Sequence, residues 1–410
     1  MIEIMKKIFF LFIAFASYKS FSQRSNANYP DDFFSKPVLQ WTYQTGGPVF
    51  SSPVADDGIV YFGSLDSNLY ALEATSGRLK WKLKTGGEIR SAVAIDAETV
   101  YAVSGDGCIY AIQKKDHQLK WKFGGHGDRK YELFSFADYF QSSPYLLGDS
   151  IFYGAGDYVF AVDKNSGKEI WEYKTGSVVH SSPTVYNHKL FVGSLDGYFY
   201  ALDTKDGSLK WKFKSVGQRY FPRGEMQDSP TAYDGMIFTG SRDYNFYALD
   251  AEKGFGLWNK QFARGWAMTK PVVRDSVLYI GTSEDRVIVA LDSYTGRILW
   301  QTNVKFNVFG SFTFSKSMLY AGTLMGRLYA LDIKTGNIIW SMNSDLFDQN
   351  RNKYFKDDEN YRDDITSVFQ KNEDVLKMYY DLGAIFSQPL IYNNQLFVTS
   401  LDGKIYSYHR

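Results

Sequence analysis

The sequence has almost no cysteine, little proline and no charge of one sign in excess. Its single cysteine, Cys108, cannot form a disulfide within the chain. The 46 Lys and Arg residues balance 45 Asp and Glu residues, and the formal net charge of +1 disfavours nucleic acid or an anionic membrane as a partner. Only 10 prolines stand beside 35 glycines and 18% aromatic residues, a composition typical of many short strands and tight turns. We therefore expect an all-β fold.

A hydrophobic run long enough to span a membrane is also missing. Two lysines precede an apolar run from Ile8 to Ala16, which is much shorter than the roughly 20 residues of a transmembrane helix. Ser20 and Ser22 supply the small residues of a cleavage site. We predict a signal peptide over residues 1–22, cleaved near Ser22, and an N-terminal extension over residues 23–36. The mature chain is then expected in the periplasm or outside the cell, without a transmembrane segment.

Tryptophan recurs along the rest of the chain at intervals of 40 to 50 residues. A period in this range predicts a propeller or a solenoid. Each unit contains four short alternating runs, A to D, joined by Asp- and Gly-containing turns, which is the pattern of a four-stranded antiparallel blade. The tryptophan lies in the fourth run of each unit, and the series is Trp41, Trp81, Trp121, Trp171, Trp211, Trp258, Trp300 and Trp340.

The end of run C and run D share an eleven-residue motif, Ala-x-Asp-x-x-x-Gly-x-x-x-Trp. It is complete five times, has Glu73 in place of the aspartate once, and is degenerate once, with Gln113 and His117. The motif resembles the tryptophan-docking motif of quinoprotein alcohol dehydrogenases and of the propeller in the bacterial outer-membrane assembly machine. The chain is thus identified as a member of the quinoprotein-like (PQQ-like) β-propeller repeat family, closest in style to the assembly-factor propeller but without its lipid-attachment cysteine.

The repeat tryptophans are predicted to be structural. Each blade must bury a sheet face that it cannot bury alone, so an indole at this spacing packs between neighbouring blades. We count eight C runs, the last of which ends at Arg410 without a D run, while the run around Trp41 is a D run without predecessors. Joining the two ends completes an eighth blade and leaves no open sheet edge. The prediction is one eight-bladed β-propeller over residues 37–410.

All long departures from the repeat are D-to-A connections, which antiparallel order places on one face of the ring. We call this the insert face and expect function there. Its largest insert, residues 343–380, is charged and predicted to be partly helical, with one amphipathic helix from Asp364 to Tyr380. This insert is interpreted either as a lid or partner-docking element or as a tolerated surface insertion.

Positions just before strand A should ring the mouth of the central channel, and the inserts add arginines interleaved with aromatic residues. Such a surface suits a protein, a peptide or an oligosaccharide. The predicted binding residues are Arg90, Gln141, His180, Arg219, Tyr220, Arg223, Gln227, Trp266 and Lys270. Of the residues near the mouth, His180, Arg90, His126 and Tyr131 are candidates for acid–base catalysis in a polysaccharide lyase or hydrolase. The alternative is that the insert aromatics only cap the channel and pack on one another.

Three functions are therefore compared. The first, which the arginines and aromatic residues of the insert face favour, is an exported scaffold without catalysis, cofactor or metal. It binds an envelope protein, a peptide or an oligosaccharide. The second, implied by the family resemblance, is a PQQ-dependent dehydrogenase. There the quinone lies between a tryptophan floor and a disulfide of adjacent cysteines, with calcium held by Glu, Asn and Asp; Trp266 is a candidate floor, but the disulfide is impossible here. The third is the lyase or hydrolase.

Overall fold

The computed structural model describes residues 29–124, 131–132 and 138–410. These residues form eight antiparallel four-stranded sheets that close into a propeller, which confirms the predicted all-β, eight-bladed fold. The predicted signal peptide, residues 1–22, lies outside the described residues, as do residues 23–28 of the predicted extension. In the part of the chain that is described, no helix combines the length and the apolar character needed to cross a membrane.

The strands follow one another through the blades in chain order. Blades 1 to 4 consist of Val54–Asp56 (β2), Ile59–Gly63 (β3), Asn68–Glu73 (β4), Leu79–Lys84 (β5); Ala94–Ile95 (β6), Thr99–Val103 (β7), Ile109–Gln113 (β8), Leu119–Phe123 (β9); Tyr145–Leu147 (β10), Ser150–Ala155 (β11), Tyr158–Asp163 (β12), Glu169–Lys174 (β13); Thr184–Tyr186 (β14), Lys189–Gly193 (β15), Tyr198–Asp203 (β16), Leu209–Lys214 (β17).

The second half of the ring has the same order. Blades 5 to 8 consist of Thr231–Tyr233 (β18), Met236–Gly240 (β19), Asn245–Asp250 (β20), Gly256–Gln261 (β21); Val272–Arg274 (β22), Val277–Gly281 (β23), Val287–Asp292 (β24), Ile298–Asn303 (β25); Thr313–Phe314 (β26), Met318–Gly322 (β27), Arg327–Asp332 (β28), Ile338–Asn343 (β29); Leu390–Tyr392 (β30), Gln395–Thr399 (β31), Lys404–His409 (β32) and Val38–Gln44 (β1). The connection from β29 to β30 carries Asp345–Asn350 (α1), a 3₁₀ turn at Arg351–Lys353, Ile365–Val368 (α2) and Asn372–Asp381 (α3).

The two ends of the chain close the ring in blade 8, as the repeat predicts. Strand β1 pairs antiparallel with β32, so that Val38 lies opposite His409 and Gln44 opposite Lys404. The blade therefore takes its outer strand from the start of the chain and its three inner strands from the end.

The hairpin turns are fixed by an aspartate and a glycine at set positions. In the B-to-C turn of blade 4, the Tyr198 N–H donates to Asp196 Oδ1 at 2.8 Å and the Tyr200 hydroxyl donates to Asp196 Oδ2 at 2.5 Å. Gly197 follows with φ +80°, a conformation that glycine adopts without strain. The turn aspartates therefore act within the turns, where they satisfy backbone and tyrosine donors.

Six of the eight repeat tryptophans pack with the indole over the motif glycine of the next blade. The Trp171 indole N–H donates to the Thr204 carbonyl at 3.0 Å, and its ring lies against Gly207. Equivalent indole-to-carbonyl hydrogen bonds are Trp41 to Ala74, Trp121 to Lys164, Trp211 to Ala251, Trp258 to Ser293 and Trp300 to Ile333. Trp81 instead stacks on His117, which occupies the glycine position of the degenerate motif, with ring centroids 5.4 Å apart.

The contact between glycine and indole makes a specific prediction. A Cβ on Gly207, where φ is +72°, would lie 2.7 Å from the Trp171 ring, whereas a Cβ on Gly235, where φ is +79°, would meet nothing within 4 Å. Both alanine variants incur the backbone strain of about 1–3 kcal/mol, and only Gly207→Ala also displaces an indole. We expect Gly207→Ala to lower the free energy of unfolding by about 1–3 kcal/mol more than Gly235→Ala, measured by denaturant titration. Equal losses would contradict the docking contact.

Residues 29–36, which we call the N-terminal strap, cross the turns of blades 6, 7 and 8. Phe33 is only 1% exposed, its N–H donates to the Tyr320 hydroxyl at 2.9 Å, and its carbonyl accepts from the Trp340 indole at 2.5 Å. The Asp32 carboxylate accepts from the Ser317 N–H at 2.8 Å, and the Arg274 guanidinium lies 3.6 Å from the Tyr29 ring centroid. The other hydrogen-bonded indoles donate to a carbonyl in the C-to-D turn of the next blade. Trp340 donates to the Phe33 carbonyl instead, so the strap takes the place of that turn.

Candidate functional site

The mouth of the channel on the insert face is polar on one side and apolar on the other. The residues four positions before the A strands are Arg90, Gln141, His180 and Gln227 in blades 2 to 5, and Met268, Phe309, Phe386 and Phe50 in blades 6, 7, 8 and 1. Six of the eight line one cavity on the ring axis, as the sequence predicts; Gln227 and Met268 are buried beside it. The cavity, which we call the lumen, has a volume of about 280 Å³.

Four phenylalanines close the lumen toward the insert face, and we call them the aromatic roof. The Phe386 ring lies 5.0 Å from Phe50, 5.0 Å from Phe140 and 5.6 Å from Phe309, measured between centroids. Tyr139 packs edge-on against the same ring at 6.1 Å. Of these residues, Tyr139 and Phe140 belong to an insert, and both pack on Phe386 at the channel mouth as the capping interpretation expects.

The largest insert packs its aromatic side chains on the apolar half of the mouth. Tyr379 in α3 lies edge-on to Tyr139 and to Phe306, with centroids 6.5 Å apart in both pairs. Arg327 in β28 anchors the insert to blade 7, because its guanidinium donates to both carboxylate oxygens of Glu359 at 3.0 and 2.5 Å. This bidentate ion pair is largely screened from water, a geometry in which charge pairing is strong.

The prediction of one helix from Asp364 to Tyr380 is wrong. The structure has two helices in this stretch, α2 and α3, interrupted between Val368 and Asn372. Phe369 ends α2 and stacks on Tyr354, with ring centroids 6.1 Å apart, while the Asp374 carboxylate accepts from the N–H groups of Gln370 and Lys371. Side-chain capping of the second helix and burial of an aromatic ring at the junction outweigh the continuous amphipathic pattern.

The polar half of the mouth contains a buried acid–histidine pair. His180 Nδ1 lies 2.9 and 3.0 Å from the two carboxylate oxygens of Asp138, and both side chains are buried. The Tyr131 ring stacks on the imidazole at 4.7 Å. A carboxylate on Nδ1 fixes the ring and leaves Nε2 as the nitrogen available to a ligand, which is the arrangement of a histidine general base.

Arg90 joins the same cluster from blade 2. Its guanidinium lies between the rings of Tyr131 and Phe50, at 4.9 and 4.7 Å, and its Nε donates to Glu88 at 2.7 Å. The structure therefore brings together three of the four residues predicted as acid–base candidates. The fourth, His126, lies outside the described residues.

The remaining predicted binding residues occupy three different places. Arg219 and Tyr220 lie on the rim, where Tyr220 is 71% exposed and the Arg219 guanidinium lies 5.7 Å from its ring; Arg223 is exposed on the same loop. Trp266 is buried against Phe221, with ring centroids 4.9 Å apart. Lys270 lines the lumen and lies two residues after Met268, the mouth residue of blade 6.

Sequence reasoning missed Arg242, which is 1% exposed yet charged. Its Nε donates to Gln227 at 2.8 Å, and its guanidinium lies 5.5 Å from the Phe221 ring and 5.6 Å from the Trp266 ring. The sequence did contain a signal for this residue. Arg242 occupies a position of the B-to-C turn that three other blades fill with leucine, namely Leu65, Leu195 and Leu401. A buried arginine in place of a repeat leucine indicates a local polar network.

Comparison with known proteins agrees with this architecture. A sequence profile described as outer membrane protein assembly factor BamB matches residues 34–136, 134–229 and 222–362, most of the chain. The chain belongs to this family. The solved structure of BamB from Moraxella catarrhalis superposes on 92% of the chain and 100% of its own length, with a TM-score of 0.66 and 16% identity. A quinohemoprotein alcohol dehydrogenase from Pseudomonas putida superposes on 90% of the chain and 76% of its own length, with a TM-score of 0.64 and 14% identity. At these identities the two structures show the shared fold.

Curated relatives match shorter stretches of this BamB-family chain. A quinone-dependent 1-butanol dehydrogenase from Thauera butanivorans is 34% identical over 85 residues, 18% of the chain and 14% of its own length. Tetrathionate hydrolase from Acidithiobacillus ferrooxidans is 24% identical over 197 residues, 46% of the chain and 33% of its own length. The matches thus cover a third or less of either relative.

The side chains of this BamB-family chain do not fit the quinone site that the dehydrogenase resemblance implies. Its single cysteine cannot supply a disulfide of adjacent cysteines, and the candidate floor, Trp266, is packed against Phe221 and Tyr244. Within residues 29–124, 131–132 and 138–410, no group of three His, Cys, Asp or Glu side chains is arranged to hold a metal ion. On the insert face, the channel mouth is instead closed by the four phenylalanine rings of the aromatic roof.

Proposed function

We propose that this protein is a scaffold of the cell envelope that acts in outer-membrane protein assembly by docking another envelope protein on its insert face. The observation that carries the proposal is the closure of that face. The aromatic roof and the α1–α3 insert pack together over the channel mouth. Family membership supports the same function, and export by a signal peptide over residues 1–22 would place the protein in the periplasm.

The loop that begins at Val216 is the most exposed predicted contact region. Val216 and Tyr220 are 76% and 71% exposed, and Arg219 and Arg223 flank Tyr220 along the chain. Tyrosine and arginine dominate the energetics of protein interfaces because they combine a large contact area with polar groups. We therefore place the centre of the docking surface on this loop.

Site-specific photo-crosslinking in intact cells tests the docking surface. A photoreactive phenylalanine analogue at Tyr220 is expected to form a discrete crosslink to an outer-membrane assembly protein, identified by mass spectrometry. The matched control is the same analogue at Tyr294, which is 49% exposed in a C-to-D turn on the opposite face. Crosslinks at 294 and none at 220 would place the interface on the other face and overturn the proposal.

A quinone-dependent dehydrogenase is the competing function, and the match to 1-butanol dehydrogenase favours it. It predicts that purified protein incubated with the quinone and calcium retains the chromophore and oxidises alcohols with an artificial dye as acceptor. On the side chains described above, we expect neither result. Dye-linked turnover at a rate proportional to bound quinone would replace the scaffold proposal.

A further inference from the structure

Lys270 is the one charged residue in a ring of eight equivalent positions inside the lumen, six of which hold serine or alanine. The equivalent positions in the other blades are Ser52, Ala92, Ser143, Ser182, Ser229, Ser311 and Gln388. Their hydroxyls join neighbouring blades: the Ser143 N–H donates to Ser182 Oγ at 2.9 Å, and the Ser182 N–H donates to Ser229 Oγ at 3.0 Å. Blade 6 alone places a long cationic side chain at this level, so Lys270 adds to the lumen a charge that the repeat does not require.

The Lys270 ammonium has no ion-pair partner within the described residues. Asp228, the nearest carboxyl group, has taken the place of the first serine in the Ser-Ser-Pro step of blade 5, and its Oδ1 accepts from the Ser229 N–H at 2.8 Å. Burial lowers the pKa of Lys270 and raises the pKa of Asp228 well above its ordinary value. The amine is nevertheless open to the lumen, so a ligand can reach it.

A polar pair borders the lumen from blade 4. His180 lines the cavity, and its Nδ1 is held by the Asp138 carboxylate at 2.9 Å. With Nδ1–H bonded to a carboxylate, Nε2 of the neutral ring is an acceptor, so the charged donor at this level of the lumen is Lys270. Charge-assisted hydrogen bonds from such a group to a carboxylate are stronger than neutral ones.

The cavity is also apolar at one end. Phe50, Phe140, Phe309 and Phe386 form its roof, whereas hydroxyl and amide groups line its walls. A volume of about 280 Å³ is close to that of small-ligand sites and accepts a molecule with one aromatic ring. We propose that the lumen binds a small aromatic carboxylate, with its ring under the aromatic roof and its carboxylate toward Lys270. This site is separate from the docking surface around Tyr220.

Ligand-dependent thermal unfolding and calorimetric titration with benzoate test the proposal. Benzoate is expected to raise the unfolding midpoint of the wild-type protein, because a ligand that binds only the folded state stabilises it. Benzamide has the same shape without the charge, and inorganic sulfate has charge without the ring, so both are expected to have no effect. A response to sulfate equal to that of benzoate would overturn the aromatic-carboxylate assignment, as would equal responses to benzoate and benzamide.

Lys270→Ser restores the residue that five other blades carry and separates binding from folding. We expect its unfolding midpoint without ligand to match that of the wild type, because the exposed Lys270 side chain makes no ion pair within the described residues. Its affinity for benzoate should fall by about tenfold or more. The matched control, Lys205→Ser in an exposed turn of blade 4, should bind benzoate as the wild type does. Unchanged benzoate affinity in Lys270→Ser would refute the site, while crosslinking from position 220 stays unaffected in either case.

Discussion

Replacing Phe33 by alanine is expected to lower the free energy of unfolding by about 3–5 kcal/mol, a loss typical of a fully buried phenylalanine. The ring packs edge-on against Tyr320, with centroids 6.0 Å apart, while the Arg410 guanidinium lies 5.0 Å from its centroid. A cavity at this position also loosens the backbone of residue 33, whose carbonyl accepts the hydrogen bond from the Trp340 indole. Denaturant titration measures the loss, and hydrogen exchange should quicken first in β1 and β32, the strands that close the ring.

Phe34→Ala is the matched control for Phe33, because the neighbouring phenylalanine is 73% exposed. A surface substitution of this kind is expected to change stability by less than about 0.5 kcal/mol. If Phe33→Ala and Phe34→Ala had the same small effect, the strap would not contribute to the closure of the ring.

Trp171→Ala is expected to cost a similar amount, about 3–5 kcal/mol, by a different route. The indole is buried between blades 3 and 4, packs on Phe152 at 5.7 Å and donates to Thr204 at 3.0 Å. Its loss leaves a cavity at the blade junction and an unpaired carbonyl. Equilibrium unfolding in denaturant gives the magnitude.

Ile170→Ala serves as the control for Trp171. Ile170 precedes the tryptophan in the same strand, but its side chain points outward and is 45% exposed. Its replacement should leave stability nearly unchanged. A loss below about 1 kcal/mol for Trp171→Ala would contradict the role of the repeat tryptophans as blade-docking residues.

The number of blades was predictable because each copy of the motif supplies both halves of the contact between blades. Within the eleven residues from Ala161 to Trp171, Gly167 receives the tryptophan of the preceding blade and Trp171 docks on the glycine of the next. The position of Trp41 also predicted the closure of blade 8, since an outer strand without a blade and a blade without an outer strand can only complete each other.

The candidate site was only partly predictable, because its contacts are not periodic. The mouth ring followed from the repeat, but Asp138 lies in an insert 42 residues from His180, and no spacing rule connects them. Lys270 was predicted for the insert face and lies one level inside the lumen. Phe33 has no counterpart in the repeat at all, and its role depends on residues almost 300 positions away.

The strap also makes completion of the ring depend on residues that lie far apart in the sequence. Phe33 bonds to Tyr320, 287 residues further along the chain, and Val38 in β1 pairs with His409 in β32, 371 residues further along. Each of the other seven blades, by contrast, takes its four strands from one continuous stretch of chain. Closure of blade 8 is therefore a long-range pairing, a kind of contact that high contact order makes slow to form.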